Sequence, residues 1–121
     1  MTTYEAVMQQ LQQKKFAPVY LLMGEEPFFI DQVADFIEEN AIDASQRDFN
    51  QFLVYGKDIT GGEVVALCRE VPFGSPYRVI IVKEAKNLKN IDLLCKYAEK
   101  PSPQTILVLC HKYGKLKAKQ Y

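Results

Sequence analysis

Residues 24–31 (GEEPFFID) come nearest, in position and composition, to a known chemical motif. They follow a short apolar run and precede a helical pattern, where a phosphate-binding loop of the form G-x-x-x-x-G-K-[S/T] would lie. In such a loop the glycines let backbone N–H groups surround the phosphates, the lysine neutralises charge and the hydroxyl holds Mg²⁺. With Gly24 as the first glycine, the other three positions hold Phe29, Ile30 and Asp31. None of these side chains can do the work of the residue it replaces.

The rest of this turn also argues against phosphate binding. Glu25 and Glu26 place carboxylates where the polyphosphate would lie, and like charges about 4 Å apart repel by about 4 kcal/mol at a surface-like dielectric. Pro27 removes one N–H donor, although it suits the first turn of a helix. We therefore predict a degenerate phosphate loop that comprises Gly24, Glu25, Glu26, Pro27, Ile30 and Asp31. The glutamates could instead form an acid–base pair or a metal site, but carboxylates are also favoured at helix N-termini by the dipole alone.

Other reactive side chains give no recognisable constellation. His111 follows the last predicted strand, at the kind of strand end where α/β active sites lie, but no nucleophile elbow or H-E-x-x-H pattern accompanies it. Cys68, Cys95 and Cys110 are widely spaced in apolar segments, so we expect buried free thiols and neither a zinc site nor a thioredoxin-like motif. The residues alone predict a binding or scaffolding module without catalytic residues, metal or cofactor.

The composition is that of an ordinary globular domain: 121 residues, 48% hydrophobic and 25% charged. The formal net charge is zero, whereas nucleic-acid binders usually carry a basic balance or stripe. Residues 112–119 contain a local lysine cluster, which could contact phosphates or be a solvated segment. No apolar run reaches the roughly 18 residues that span a bilayer and no signal peptide is visible, so we expect a cytoplasmic protein without membrane contact.

Hydrophobic periodicity divides the chain into alternating helices and strands. Apolar runs bounded by turn residues predict strands near 18–23, 48–54, 77–83 and 104–110. Three- and four-residue spacings predict helices from a Thr3 cap to about Lys15, over 27–40, from a Thr60 cap to about Glu70, and over 88–99. Such alternation is typical of a three-layer α/β fold with a mostly parallel sheet. We expect residues 1–111 to form this domain and residues 112–121 to begin a continuing, longer chain.

Three segments resemble the delta subunit of the bacterial DNA polymerase III clamp loader. They are PVYLLMGEEPFFIDQVADFI (18–37), VPFGSPYRVIIVKEAKNL (71–88) and PSPQTILVLC (101–110). The resemblance implies a fold like that of P-loop NTPases of the AAA+ class, with a degenerate nucleotide site and no active site of its own. It also implies a subunit of the polymerase holoenzyme that binds the ring-shaped sliding clamp and opens it for loading onto primed DNA. The implied partners are the clamp, the gamma/tau and delta prime subunits, and DNA through the assembled complex.

The family places a short hydrophobic pair after the helix that corresponds to 60–70, and this pair enters an apolar pocket on the clamp. Carried onto this chain, the element falls on Pro72, Phe73 and Gly74, and either possible alignment of the pair includes Phe73. Leu67 or Val71 would assist it. Phe73 stands between two prolines in a stiff segment, so we expect it to be exposed, the alternative being that it packs back onto the core.

Two other functions remain open at this point. The first is a nucleotide-binding α/β enzyme domain with a non-standard phosphate loop. The second is an independent DNA-binding module that uses the lysines of residues 112–119.

Overall fold

Four parallel strands form a single sheet in the order β1-β4-β3-β2. The computed structural model describes residues 4–23 and 27–111, and the strands within these ranges are β1 Val19–Met23, β2 Gln51–Tyr55, β3 Arg78–Lys83 and β4 Thr105–His111. The central strands β3 and β4 are almost wholly buried, as expected of near-continuous apolar runs in a parallel sheet. The predicted parallel sheet is therefore confirmed.

Helices lie between the strands in chain order. They are α1 Tyr4–Gln12, α2 Pro27–Asn40, α3 Arg47–Asn50, α4 Gly61–Arg69 and α5 Asp92–Glu99, and single 3₁₀ turns occupy Ala44–Gln46, Gly56–Asp58 and Ala85–Asn87. The predicted helix 27–40 is matched at both ends. The capping box predicted for α4 is also present, because Thr60 accepts a hydrogen bond from the Glu63 N–H (3.3 Å) and the Thr60 N–H donates to Glu63 Oε1 (3.0 Å).

The sheet separates two hydrophobic cores and so creates three layers. One core packs α1 and α2 against one face of the sheet, through residues such as Leu11, Ile37 and Ile81. The other packs α4 and α5 against the opposite face, through residues such as Val64 and Tyr97. Alternate residues along β3 and β4 point into the two cores, which is the period-2 pattern of a strand covered on both sides. This is the three-layer α/β architecture predicted from the sequence.

Three predicted boundaries were wrong. The strand predicted over 48–54 begins only at Gln51, because residues 47–50 form the short helix α3. The helix predicted over 88–99 begins at Asp92, after Asn90 adopts a left-handed conformation (φ 62°). The first helix ends at Gln12 instead of near Lys15, since Lys14 (φ 59°) turns the chain. A short helix in the first case, and a left-handed residue in the other two, interrupts a pattern that periodicity alone would continue.

No helix within 4–23 or 27–111 is long and apolar enough to cross a membrane. The predicted start of a further segment at residues 112–121 and the proposed Thr3 cap both lie outside the described residues.

Candidate functional site

The carboxyl end of β1 leads into α2, at the position of the predicted degenerate phosphate loop. Pro27 is the first residue of α2, as predicted, whereas Gly24, Glu25 and Glu26 lie outside the described residues. Ile30, which aligns with the lysine of a working loop, is only 4% exposed and belongs to the core beneath α2. Asp31, which aligns with the Mg²⁺-holding hydroxyl, has its carboxylate 4.0 Å from the ammonium of Lys83 at the end of β3. Ile30 therefore packs in the core, and Asp31 pairs with Lys83; neither side chain has the chemistry of the phosphate-loop residue with which it aligns.

The other reactive side chains, three cysteines and one histidine, differ in their burial. Burial raises the pKa of the Cys68 thiol from its ordinary value of 9.0 to about 12, so this thiol is protonated at neutral pH. Cys110 is buried as expected, but Cys95 is exposed, which corrects the prediction that all three thiols are buried. His111 ends β4 and is buried. Among residues 4–23 and 27–111, no three His, Cys, Asp or Glu side chains lie close enough to hold a metal ion.

The opposite, amino end of the sheet carries a large exposed aromatic side chain. Phe73 lies in the loop between α4 and β3, and 73% of its surface is exposed. Val71, two residues earlier, is 77% exposed, whereas Pro72 and Leu67 are half-buried. Gly74 follows with φ 70°, in the left-handed region where a side chain would be strained. The structure therefore holds Phe73 away from the core.

The backbone of Phe73 is fixed by one buried side chain, that of Asn50 at the end of α3. Asn50 Oδ1 accepts a hydrogen bond from the Phe73 N–H (2.6 Å), and Asn50 Nδ2 donates to the Phe73 carbonyl (2.7 Å). The same amide nitrogen donates to the Gln46 carbonyl (2.9 Å), and the Gln46 side chain in turn donates to the Gly74 carbonyl. Asn50 is fully buried, so these bonds are shielded from competition with water.

A second phenylalanine lies beside Phe73 because α3 delivers it there. Phe49 is 65% exposed, and its ring centroid is 5.8 Å from that of Phe73 with the two planes tilted by 57°. The spacing lies within the range of favourable aromatic pairs. Phe49 and Phe73 therefore form one exposed apolar surface from two separate segments of the chain. We call these two residues the aromatic pair.

Arg78, the first residue of β3, contacts residues of α3, α4 and β2. Its guanidinium donates to the carbonyl of Leu67 in α4 (2.8 Å) and to the carbonyl of Phe49 (3.4 Å), and it lies 4.4 Å from the centroid of the Phe52 ring. It also forms an ion pair with Glu70 (3.4 Å). A nearly buried arginine with several partners fixes α3 and the end of α4 relative to β3.

The sequence pattern singles out Phe73 and misses Phe49 and Asn50, because it predicts a strand over residues 48–54; Gln46, before that strand, is missed as well. One signal was available, since Asp48 and Asn50 are residue types that strands disfavour. The hydrogen bonds that join Asn50 to Phe73 span 23 residues, and no local pattern predicts them.

The family model described as DNA polymerase III, delta subunit, matches residues 20–121, which is most of the chain. The chain belongs to this family. The family predicted from the three sequence segments is thereby confirmed. The chain is related to delta subunits by sequence as well as by fold.

Two relatives from Bacillus subtilis are similar to this chain. The DNA polymerase III subunit delta of strain 168 is 28% identical over 120 residues, covering 91% of this chain and 35% of the relative. The solved structure of the DNA clamp loader delta protein has a TM-score of 0.85 and 24% identity, covering 97% of this chain and 38% of that one. The chain thus spans little more than a third of the length of these delta proteins, and the structural likeness concerns its fold.

Proposed function

We propose that this chain is the part of a clamp-loader delta subunit that binds the sliding clamp, with Phe73 as its main contact and Pro72 and Gly74 shaping the loop around it. The observation that carries the proposal is the combination of an exposed Phe73 ring with a backbone held by the buried Asn50 amide. An exposed aromatic side chain on a backbone that is already fixed loses little conformational freedom on docking, which makes it a good anchor for a protein contact. Because the chain belongs to the delta family, we infer that the ring-shaped sliding clamp is the protein that binds the exposed Phe73 ring.

The rigidity of the loop favours tight binding. A flexible loop would lose conformational freedom when its side chain entered a pocket, and that loss would subtract from affinity. The Asn50 hydrogen bonds and the left-handed Gly74 fix the loop before it binds, so less freedom remains to be lost. Aromatic residues in such settings commonly contribute most of the binding free energy of an interface.

The proposed action on the clamp is mechanical. If Phe73 binds the opened form of the ring more tightly than the closed form, binding shifts the closed–open equilibrium by that difference in affinity. The ATP-hydrolysing subunits of the clamp loader would drive the loading cycle, with the gamma/tau and delta prime subunits as partners of the chain, and DNA would be contacted through the assembled complex. In this proposal the chain itself needs no bound nucleotide and has no active site, which the burial of Ile30 in place of a phosphate-binding lysine supports.

The first test is a calorimetric titration of the chain with the sliding clamp of the same organism. Phe73→Ala is expected to weaken binding by about 30-fold or more, or about 2 kcal/mol, since it removes the central anchor. Because Phe73 is largely exposed, the folded state should be unaffected, and urea unfolding checks this.

Phe28→Ala is the matched control, because Phe28 is also an exposed phenylalanine (62%) but lies at the opposite end of the sheet, in α2. It is expected to bind the clamp as the wild type does. Unchanged affinity of Phe73→Ala, or no binding of the wild-type chain, would reject the proposed function.

A further inference from the structure

Phe49 is an exposed aromatic residue whose ring lies beside that of Phe73. We propose that Phe49 is the second anchor of the same contact, so that the chain presents the aromatic pair to the clamp as one unit. This inference rests on the proposed function and deepens it by assigning a contact residue in a different chain segment. The partner it requires is a protein pocket that is apolar and wide enough for two rings with centroids 5.8 Å apart.

The loop itself does not supply a second large apolar contact next to Phe73. Gly74 has no side chain, and Pro72 is half-buried. Val71 is exposed, but it is smaller and lies two residues earlier in the chain. Phe49 is the large apolar side chain whose ring lies against that of Phe73, and 65% of its surface is exposed.

One short helix, α3, fixes the position of both rings. The Phe73 backbone is held by Asn50, the residue that follows Phe49, and the Phe49 carbonyl accepts a hydrogen bond from Arg78. Helix α3, which carries Phe49, therefore also supplies the side chain that positions Phe73. Any displacement of α3 would move both rings together, as expected if they act as a single recognition element.

The folded chain gains little from keeping these rings exposed. A ring pair at this spacing is favourable, but each ring leaves most of its surface in water. What distinguishes this pair is that the buried Asn50 amide fixes the Phe73 backbone beside Phe49, so that the two rings form a fixed apolar surface suited to a protein contact. The clamp is the occupant that the family indicates, and the pair is contiguous with the loop proposed to bind it.

The test is a double-mutant cycle on clamp affinity with Phe49→Ala, Phe73→Ala, the double variant and the Phe28→Ala control. Phe49→Ala is expected to weaken binding about tenfold, and the midpoint of urea unfolding should stay unchanged. The double variant should lose less than the product of the two single effects, because each ring then no longer orders the other.

The outcomes separate this inference from the function on which it rests. Normal affinity of Phe49→Ala together with weakened Phe73→Ala would overturn the role of Phe49 and leave the proposed function standing. A double variant whose loss equals the product would overturn the claim that the rings act as a unit. Full affinity of Phe73→Ala would overturn both the role of Phe49 and the proposed function. Both would also be overturned if the wild-type chain did not bind the clamp but self-associated with rising concentration, and if each single variant abolished that self-association.

Discussion

At the scale of single residues, Asn50 makes the candidate surface possible. Its amide satisfies three backbone groups on two segments, at Gln46 and at both polar atoms of the Phe73 backbone. A buried amide with complete pairing stabilises a unique arrangement, whereas its removal leaves several buried groups without partners. The Asn50 side chain thus links the loop that carries Phe73 to helix α3, which carries Phe49.

We predict that Asn50→Ala lowers the free energy of unfolding by about 2–4 kcal/mol, because it unpairs the Phe73 backbone and leaves a cavity. Urea denaturation measures this change. Asn87→Ala serves as control, since Asn87 is exposed and its side chain makes a long hydrogen bond to Glu84 (3.4 Å), and it should stay within about 0.5 kcal/mol of the wild type. Equal stability of the two variants would show that the Asn50 amide does not hold the loop.

Some of these residues could be predicted from sequence and others could not. The two prolines around Phe73 indicated a stiff, exposed segment, and the exposure of Phe73 agrees with this. Asn50 and Phe49 were missed because their roles depend on contacts between segments that only the folded sheet brings together. The burial of Cys68 followed from its apolar neighbours, but the exposure of Cys95 did not.

At the scale of elements, α2 has the periodicity of a helix packed on a sheet, and this periodicity places Ile30, which aligns with the lysine of a phosphate loop, in the core. Ile30 is part of the apolar stripe that continues through Val33 and Ile37 into the core. A lysine at this position would bury its charge among aliphatic side chains. The requirements of packing and of phosphate binding are therefore opposed in this element.

We predict that calorimetric titration of the chain with Mg²⁺–ATP shows no binding, because Ile30 and Asp31 supply neither the cation nor the hydroxyl of a working loop. An active P-loop protein under the same conditions provides the positive control. Saturable binding at micromolar nucleotide would contradict the proposal and favour a nucleotide-binding enzyme domain.

Element boundaries were predicted well where periodicity was long and poorly where local backbone reversals intervene. Helix α2 was predicted at both ends because its stripe covers four turns and Pro27 marks its start. The start of β2 was placed too early because the aromatic residue Phe49 fits a strand pattern equally well. The capping box of α4 was predicted because it depends on residues three positions apart.

At the scale of the whole molecule, the sheet separates two regions with different chemistry. The carboxyl ends of the strands lead to the α2 position that lacks a phosphate-binding lysine, and the amino ends carry the aromatic pair. In a parallel sheet these two ends of the strands lie on opposite sides of the molecule, so a protein bound at the aromatic pair would leave the carboxyl ends of the strands uncovered. Since the formal net charge is zero, any electrostatic attraction of this chain for DNA has to come from a local cluster of basic residues.

The measurement that tests the central claim most directly is photo-cross-linking with p-benzoyl-phenylalanine, incorporated at position 73 or at position 28 of the chain, in the presence of the sliding clamp. Both positions hold exposed phenylalanines (73% and 62%) at opposite ends of the sheet, so that the label faces solvent at each. A covalent adduct with the clamp from position 73 and none from position 28 is the predicted result. An adduct from position 28 with none from position 73 would contradict the claim that the chain binds the clamp through Phe73.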